Sequence, residues 1–230
     1  ALSPMKILTD IDITCSQSEN SPCERTVMPI RTSQLKYTSS LTDETLRFRE
    51  MRIVAKLVLA GKSDREIRGE VISENLFQFK AGSSYTQKVL RRALKRLHAL
   101  ESRELIAAVA EASSESAKQI CLYSMMLTNK VMMDFMLCVI AEKYRTFDRQ
   151  FNGDTEKFLN RISQQSPQPI NWSVLTIRAM AKSMRNALCE AGILDRKSKT
   201  LQPILIPAVL RQTIIERGNR AILTAFNDFE

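Results

Sequence analysis

From residue 42 onward, apolar side chains recur at steps of three and four, the spacing that lines one face of an α-helix. Leu46, Ile53, Val54, Leu57 and Val58 form one such set, with Thr42 or Asp43 placed to cap it and Gly61 to stop it, so a helix is expected over 43–60. Ser63-Asp64-Arg65-Glu66 has the S-x-x-E form of a reciprocal capping box, and Ile67 and Val71 follow on one face. Gly69 inside this second helix suggests close backbone packing, because it costs ~1 kcal/mol relative to alanine. A third helix is expected over 84–98, capped by Ser83 or Ser84, with Leu90, Ala93, Leu94 and Leu97 inward. Further helical patterns cover 102–112, 114–127 and 129–144. The last two are apolar on more than one face and mark the buried centre, where Met125, Met126, Met132, Met133 and Met136 read as packing residues. Asp154 caps a helix carrying Phe158, Leu159 and Ile162. A rigid turn, Ser166-Pro167-Gln168-Pro169, follows. Ser173 caps a long helix that ends at Gly192, and Pro207 opens the last one, which should end near Gly218.

There is no proline between Ile30 and Ser166, and five of the six glycines fall where helical patterns stop or start, both marks of an α-rich chain. The fold expected is all-α: a compact helical bundle with two helix-turn-helix-like units. At most one short β-hairpin, a wing, is expected near 193–206, where Pro203 restricts pairing to an edge. The organisation expected is a flexible N-terminal arm over 1–34, a helix-turn-helix-like unit over 35–100, central buried helices over 101–153 and a winged helix-turn-helix-like unit over 154–230.

Charge changes the picture next. The 230 residues carry 34 Lys plus Arg against 25 Asp plus Glu, a formal charge of +9, and a domain this basic is expected to meet a polyanion, nucleic acid first. The third helix concentrates that charge in Lys88, Arg91, Arg92, Lys95 and Arg96, with no acidic residue between Phe77 and Leu100. Its first turn adds Ser84, Tyr85 and Gln87, groups able to hydrogen-bond phosphates or bases. Segments 43–60, 64–74 and 84–98 thus resemble a helix-turn-helix with the third helix in the major groove. The template is not followed throughout: the tight turn joins the first two helices, and the second helix carries Asp64, Glu66, Glu70 and Glu74, which make it a poor reader of DNA. A run of charge also suits a solvated surface helix. A second basic stripe weighs against that: Arg178, Lys182 and Arg185 lie at i, i+4 and i+7 opposite Ile177, Met180, Met184 and Leu188, and Lys197 and Lys199 follow in the hairpin tip.

Other chemistries find little to work with. With His98 as the one histidine and no C-x-x-C spacing among five cysteines, no metal site or histidine-based catalytic set is expected, and no Walker A, G-x-S-x-G or H-E-x-x-H pattern occurs. We therefore expect no enzyme and no cofactor. Cys121, Cys138 and Cys189 sit in apolar helical patterns and read as reduced packing residues, which points to a cytoplasmic protein. The stretch 117–141 carries Lys118, Gln119, Asn129, Lys130 and Asp134, too many polar groups to span a membrane.

Several motifs, taken in order and spacing, resemble one known family. They are Leu35-Lys36-Tyr37-Thr38-Ser39-Ser40-Leu41, Arg52 to Leu57 with Gly61-Lys62-Ser63-Asp64, and Asn75-Leu76 ahead of the serine-rich entry to the Arg-rich helix. Phe135-Met136-Leu137 through Lys143-Tyr144-Arg145-Thr146-Phe147 and Glu190-Ala191-Gly192-Ile193-Leu194 complete the set. Over roughly 35–210 the chain resembles the BrxA family of bacteriophage-exclusion (BREX) defence systems. The resemblance implies a small cytoplasmic all-α accessory protein in systems that methylate adenine in host DNA and block phage DNA replication, and it brings no catalytic motif. Family members have been described as inner-membrane proteins, which the hydropathy above contradicts, and as similar to a NusB-like fold, which keeps RNA in view.

The function expected is a non-enzymatic, monomeric, cytoplasmic DNA-binding accessory protein, contacting double-stranded DNA mostly through phosphates and so with weak sequence specificity. Other BREX proteins are candidate partners. The alternative is a helical adaptor, NusB-like, that binds RNA or acidic partner proteins of the defence complex.

Overall fold

Local capping chemistry sets most helix boundaries in the computed structural model, which describes residues 35–80, 83–165 and 170–229. The expected arm over 1–34 and the turn over 166–169 lie outside the described residues. In chain order the helices are α1 (Phe48–Leu59), α2 (Asp64–Ser73), α3 (Ser83–Leu100), α4 (Arg103–Glu111), α5 (Ser114–Thr128) and α6 (Lys130–Phe135). A π-helical turn (Met136–Ile140) joins α6 to α7 (Ala141–Arg145), and then come α8 (Asp154–Gln165), α9 (Val174–Glu190), α10 (Ala208–Glu216) and α11 (Ala221–Thr224). The architecture is all-α, and the described residues contain no strand, only isolated bridges.

The caps read from sequence at Ser63 and Ser173 are in place, and Ser102, Ser113 and Asn129 supply three more. Ser63 accepts the Glu66 amide while the Ser63 amide donates to the Glu66 carboxylate at 2.7 Å. Ser102, Ser113, Asn129 and Ser173 accept amides two or three residues into α4, α5, α6 and α9. Gly61 and Gly192 stop α1 and α9 at φ of +78° and +80°, a conformation that disfavours any side chain.

Helices α5 and α6 are buried on several sides, with Ile120, Cys121, Leu122, Tyr123, Met125, Met126, Met132, Met133 and Phe135 all essentially inaccessible. The methionines are therefore packing residues. Helices α3 and α4 lie against α5, α1 lies against both α3 and α4, and α9 reaches the same centre from the side of α8. Among the described residues no single helix is long and apolar enough to cross a membrane. The pair Ser114–Thr128 and Lys130–Arg145 is bent by 114° and forms this core.

Four expectations need correction. Helix α1 starts at Phe48 rather than near residue 43: residues 39–43 form a 3-10 turn packed on α9, and Arg47 takes a left-handed conformation that breaks the path. Neither Thr42 nor Asp43 caps it, because residues 43–46 are drawn against α3 by side chains described below. Ser84 lies within the first turn of α3, one residue past its start at Ser83. Gly69 is exposed, and a methyl group built there meets nothing within 4 Å, so no close packing demands it. Cys138 is disulfide-bonded rather than reduced, whereas Cys121 and Cys189 are free.

The wing is reduced to single bridges. Leu194 pairs with Leu201, and Thr200 pairs on its other side with Gln150. The tip is shaped by Asp195, whose carboxylate accepts the amides of Lys197 and Ser198 at 2.7 Å each.

Candidate nucleic-acid interface

The apolar set of α3 turns inward as expected, so the cations must leave by the remaining faces, and they leave by three different ones. Arg96 turns toward the segment between the 3-10 turn and α1. Its guanidinium donates to the carbonyls of Thr45 (3.1 Å) and Leu46 (2.9 Å) and to the Glu44 carboxylate (2.7 Å), and it is 1% exposed. Arg96 is thus a structural clamp and drops out of the predicted contact set, because no ligand can reach it. Arg92 lies one turn earlier on the same side and pairs with Asp43 at 2.7 Å; Lys88 reaches the same carboxylate. Burial raises the Asp43 pKa, but hydrogen bonds from Lys88 and Arg92 outweigh it and hold the carboxyl below its ordinary range.

The second route leads toward α2. Arg91, Gln87, Ser84 and Lys88 line an open groove of about 540 Å³ whose other wall is Arg68 and Ile72 of α2. Arg68 was missed by the sequence reading, which dismissed α2 for its acidic residues. The available signal was the i, i+4 pair Arg68 and Ile72 on the flank opposite Glu66 and Glu70. The third route is straight outward, where Lys95 is exposed. Tyr85 is half committed to structure: its ring lies 5.1 Å from that of Phe79, and Arg47 sits over it at 5.6 Å and donates to its hydroxyl.

On α9, Ile177, Met180, Met184 and Leu188 are buried and Arg178 and Lys182 are exposed, as the stripe required. Arg185, one turn further, is tied to α8 through the Glu156 carboxylate and the Thr155 hydroxyl (3.2 Å). Burial raises the Glu156 pKa, but hydrogen bonds from Arg185 and Thr155 prevail and lower it. Lys197 and Lys199 are exposed at the wing tip, and Arg196 is steadied by Asn186 of α9 at 3.0 Å.

The two basic regions meet across residues 43–45. Asp43 is held by α3, while Thr45 shares an open groove of about 710 Å³ with Asn186, Cys189, Glu190, Asp195, Arg196 and Gln202 at the end of α9 and the wing. Within these two regions Arg68, Arg91 and Lys95 on one side and Arg178, Lys182, Arg196, Lys197 and Lys199 on the other form no ion pair with a described residue. Among the described residues no group of three or more His, Cys, Asp or Glu is placed to hold a metal.

This is an all-α protein that presents two basic helical faces and a basic loop around a methionine-rich core. Its relatives narrow the class. The BrxA family model matches residues 35–218, so the chain belongs to the BrxA family, a component of BREX phage-defence systems. It is 32% identical over 163 residues to the BREX protein BrxA of Bacillus cereus (strain H3081.97), covering 70% of this chain and 80% of that one. It is 27% identical over 176 residues to the BREX protein BrxA of Escherichia coli O9:H4 (strain HS), covering 75% and 80%. A solved structure of an uncharacterized protein from Magnetospirillum magneticum shares the fold, with a TM-score of 0.70 at 22% identity, over 84% of this chain and 98% of that one.

Proposed function

We propose that the chain is the duplex-DNA-binding accessory component of its defence system, working as a monomer and without catalysis. The observation that carries this reading is the division of its cations. Carboxylates of the chain neutralise Arg92, Arg96 and Arg185, while Arg91 and Lys95 on α3 and Arg178 and Lys182 on α9 stand exposed and unneutralised. Exposed, unpaired cations on two helix faces suit phosphates, whose contacts position a protein on DNA without reading its sequence. Lys88 contributes once it exchanges Asp43 for a phosphate, and Ser84, Gln87 and Tyr85 supply hydrogen bonds at the start of α3.

The test is the salt dependence of binding to a random-sequence duplex, followed by fluorescence anisotropy. Each phosphate contact contributes about −0.9 to the slope of log affinity against log salt, so R91E/K95E and R178E/K182E should each flatten it by roughly 1.8. If both variants are folded and bind like the parent at every salt, the reading is wrong.

One observation favours the adaptor reading. Leu205, Leu175 and Val174 are 88%, 76% and 64% exposed, more apolar surface than a lone basic module needs. Single-stranded RNA that binds more tightly than duplex at equal length and salt would favour it over DNA.

A further inference from the structure

Helix α2 is acidic by composition, yet its charge is segregated. At 100° per residue, Ile67 and Val71 point to the core, Glu66, Glu70 and Glu74 fall on one flank, and Arg65, Arg68 and Ile72 fall on the other. Three of its four acidic groups are also occupied: Asp64 faces His98 at 3.0 Å, Glu66 closes the capping box, and Glu70 holds Lys62. The basic flank turns to α3. There Arg68 and Arg91, from two different helices, converge on one groove with the Ser84 hydroxyl and the Gln87 amide on its walls and Leu90 and Ile72 as apolar lining. Among the described residues no carboxylate forms an ion pair with either guanidinium, and Asp43 pairs with Lys88, at the rim, and with Arg92.

A concave site lined by cations, with part of its wall apolar, focuses potential onto whatever anion enters it. At about 540 Å³ the groove is far larger than the ~30 Å³ share of one water, and it has room for a phosphate with its solvent. We propose that the α2–α3 groove is a seat for one backbone phosphate of a nucleic acid, gripped by Arg68 from one wall and Arg91 from the other, with Ser84 and Gln87 as neutral donors. This deepens the duplex-binding reading and rests on it. It brings α2 onto the binding face and predicts that the strand crosses the groove between the two helices rather than following α3 alone.

The experiment uses the full chain, a random-sequence duplex and the variants R68A, R91A, R68A/R91A and R68K. Arg68 is exposed, so each variant should match the parent in circular dichroism and melting temperature. The expected result is that R68A weakens duplex binding roughly tenfold, as loss of a charged hydrogen bond does, and R68K restores part of it. Because the two arginines share one phosphate, the double variant should lose less than the sum of the single losses. If R91A weakens binding and R68A leaves affinity and salt slope unchanged, the seat is overturned while duplex binding stands. If the parent binds no duplex, the duplex reading falls and takes the seat with it. Additive losses in the double variant also count against a shared phosphate.

Discussion

Replacing Arg96 should unfold the protein long before it weakens DNA binding, although its sequence position is that of a contact residue. Its side chain is 2% exposed and that of Glu44 is 10% exposed, so the pair lies beyond solvent screening. Three acceptors depend on it: the Glu44 carboxylate and the carbonyls of Thr45 and Leu46, which hold the segment between the 3-10 turn and α1. In R96M the thioether fills the space but donates nothing, and the Glu44 carboxylate is left buried without a partner. Breaking a buried pair from one side costs about 3–5 kcal/mol. For a chain of this size each kcal/mol lowers the melting temperature by about 2–4 °C, so R96M should melt about 6–20 °C below the parent. The double variant R96M/E44L removes the stranded charge as well and should recover much of the loss, since apolar replacement of a buried pair is often close to neutral. The assay is thermal denaturation by circular dichroism for parent, R96M, E44L and the double variant. Duplex affinity is then measured at a temperature where all four are folded. Affinity should barely change, whereas R91A should weaken it. A melting temperature for R96M within about 2 °C of the parent, a loss below about 1 kcal/mol, would refute the clamp. So would a flattened salt slope with unaltered stability.

Three further outcomes are expected. In D43N the carboxylate that occupies Lys88 and Arg92 is gone, so duplex binding should tighten and its salt slope should steepen by up to about 1.8; weaker binding would show that Asp43 positions these cations rather than screening them. The Asp43 pKa is depressed in the folded chain, so its stabilising contribution is present above the ordinary value of 3.8 and is lost as pH falls through the lower folded value. The melting-temperature gap between parent and D43N should therefore hold from neutral pH to about 4.5 and close below, and a gap that vanishes near pH 6 would contradict this. Burial pushes the Cys121 thiol up to about 12, so iodoacetamide on the native protein should label half-buried Cys189 well before Cys121; mass spectrometry showing equal labelling would refute the packing around Cys121.

The sequence by itself determined the helices, their caps and their inward faces. Ser63 with Glu66, Ser173 before α9, Gly61 and Gly192 act within about one turn of their own position, and period-3.6 patterning marks Leu90, Leu94 and Leu97 whatever they pack against. It also determined that two helix faces are basic. Only the tertiary structure decided what each cation does. Arg96 and Lys95 are neighbours in an unbroken run of like charge, yet one is sealed by carbonyls 50 and 51 residues away and the other is open to solvent. Arg92 and Arg185 lose their freedom to Asp43 and Glu156, 49 and 29 residues distant, and Arg68 gains a role from a groove that α2 forms with α3. The α1 boundary moved for the same reason, because residues 43–46 answer to α3 rather than to their own helical pattern. Capping and periodicity are local and leave a trace within a few residues. The partner of a long charged side chain is chosen by whichever backbone or carboxylate the packing brings within 3 Å, and no local pattern carries that information.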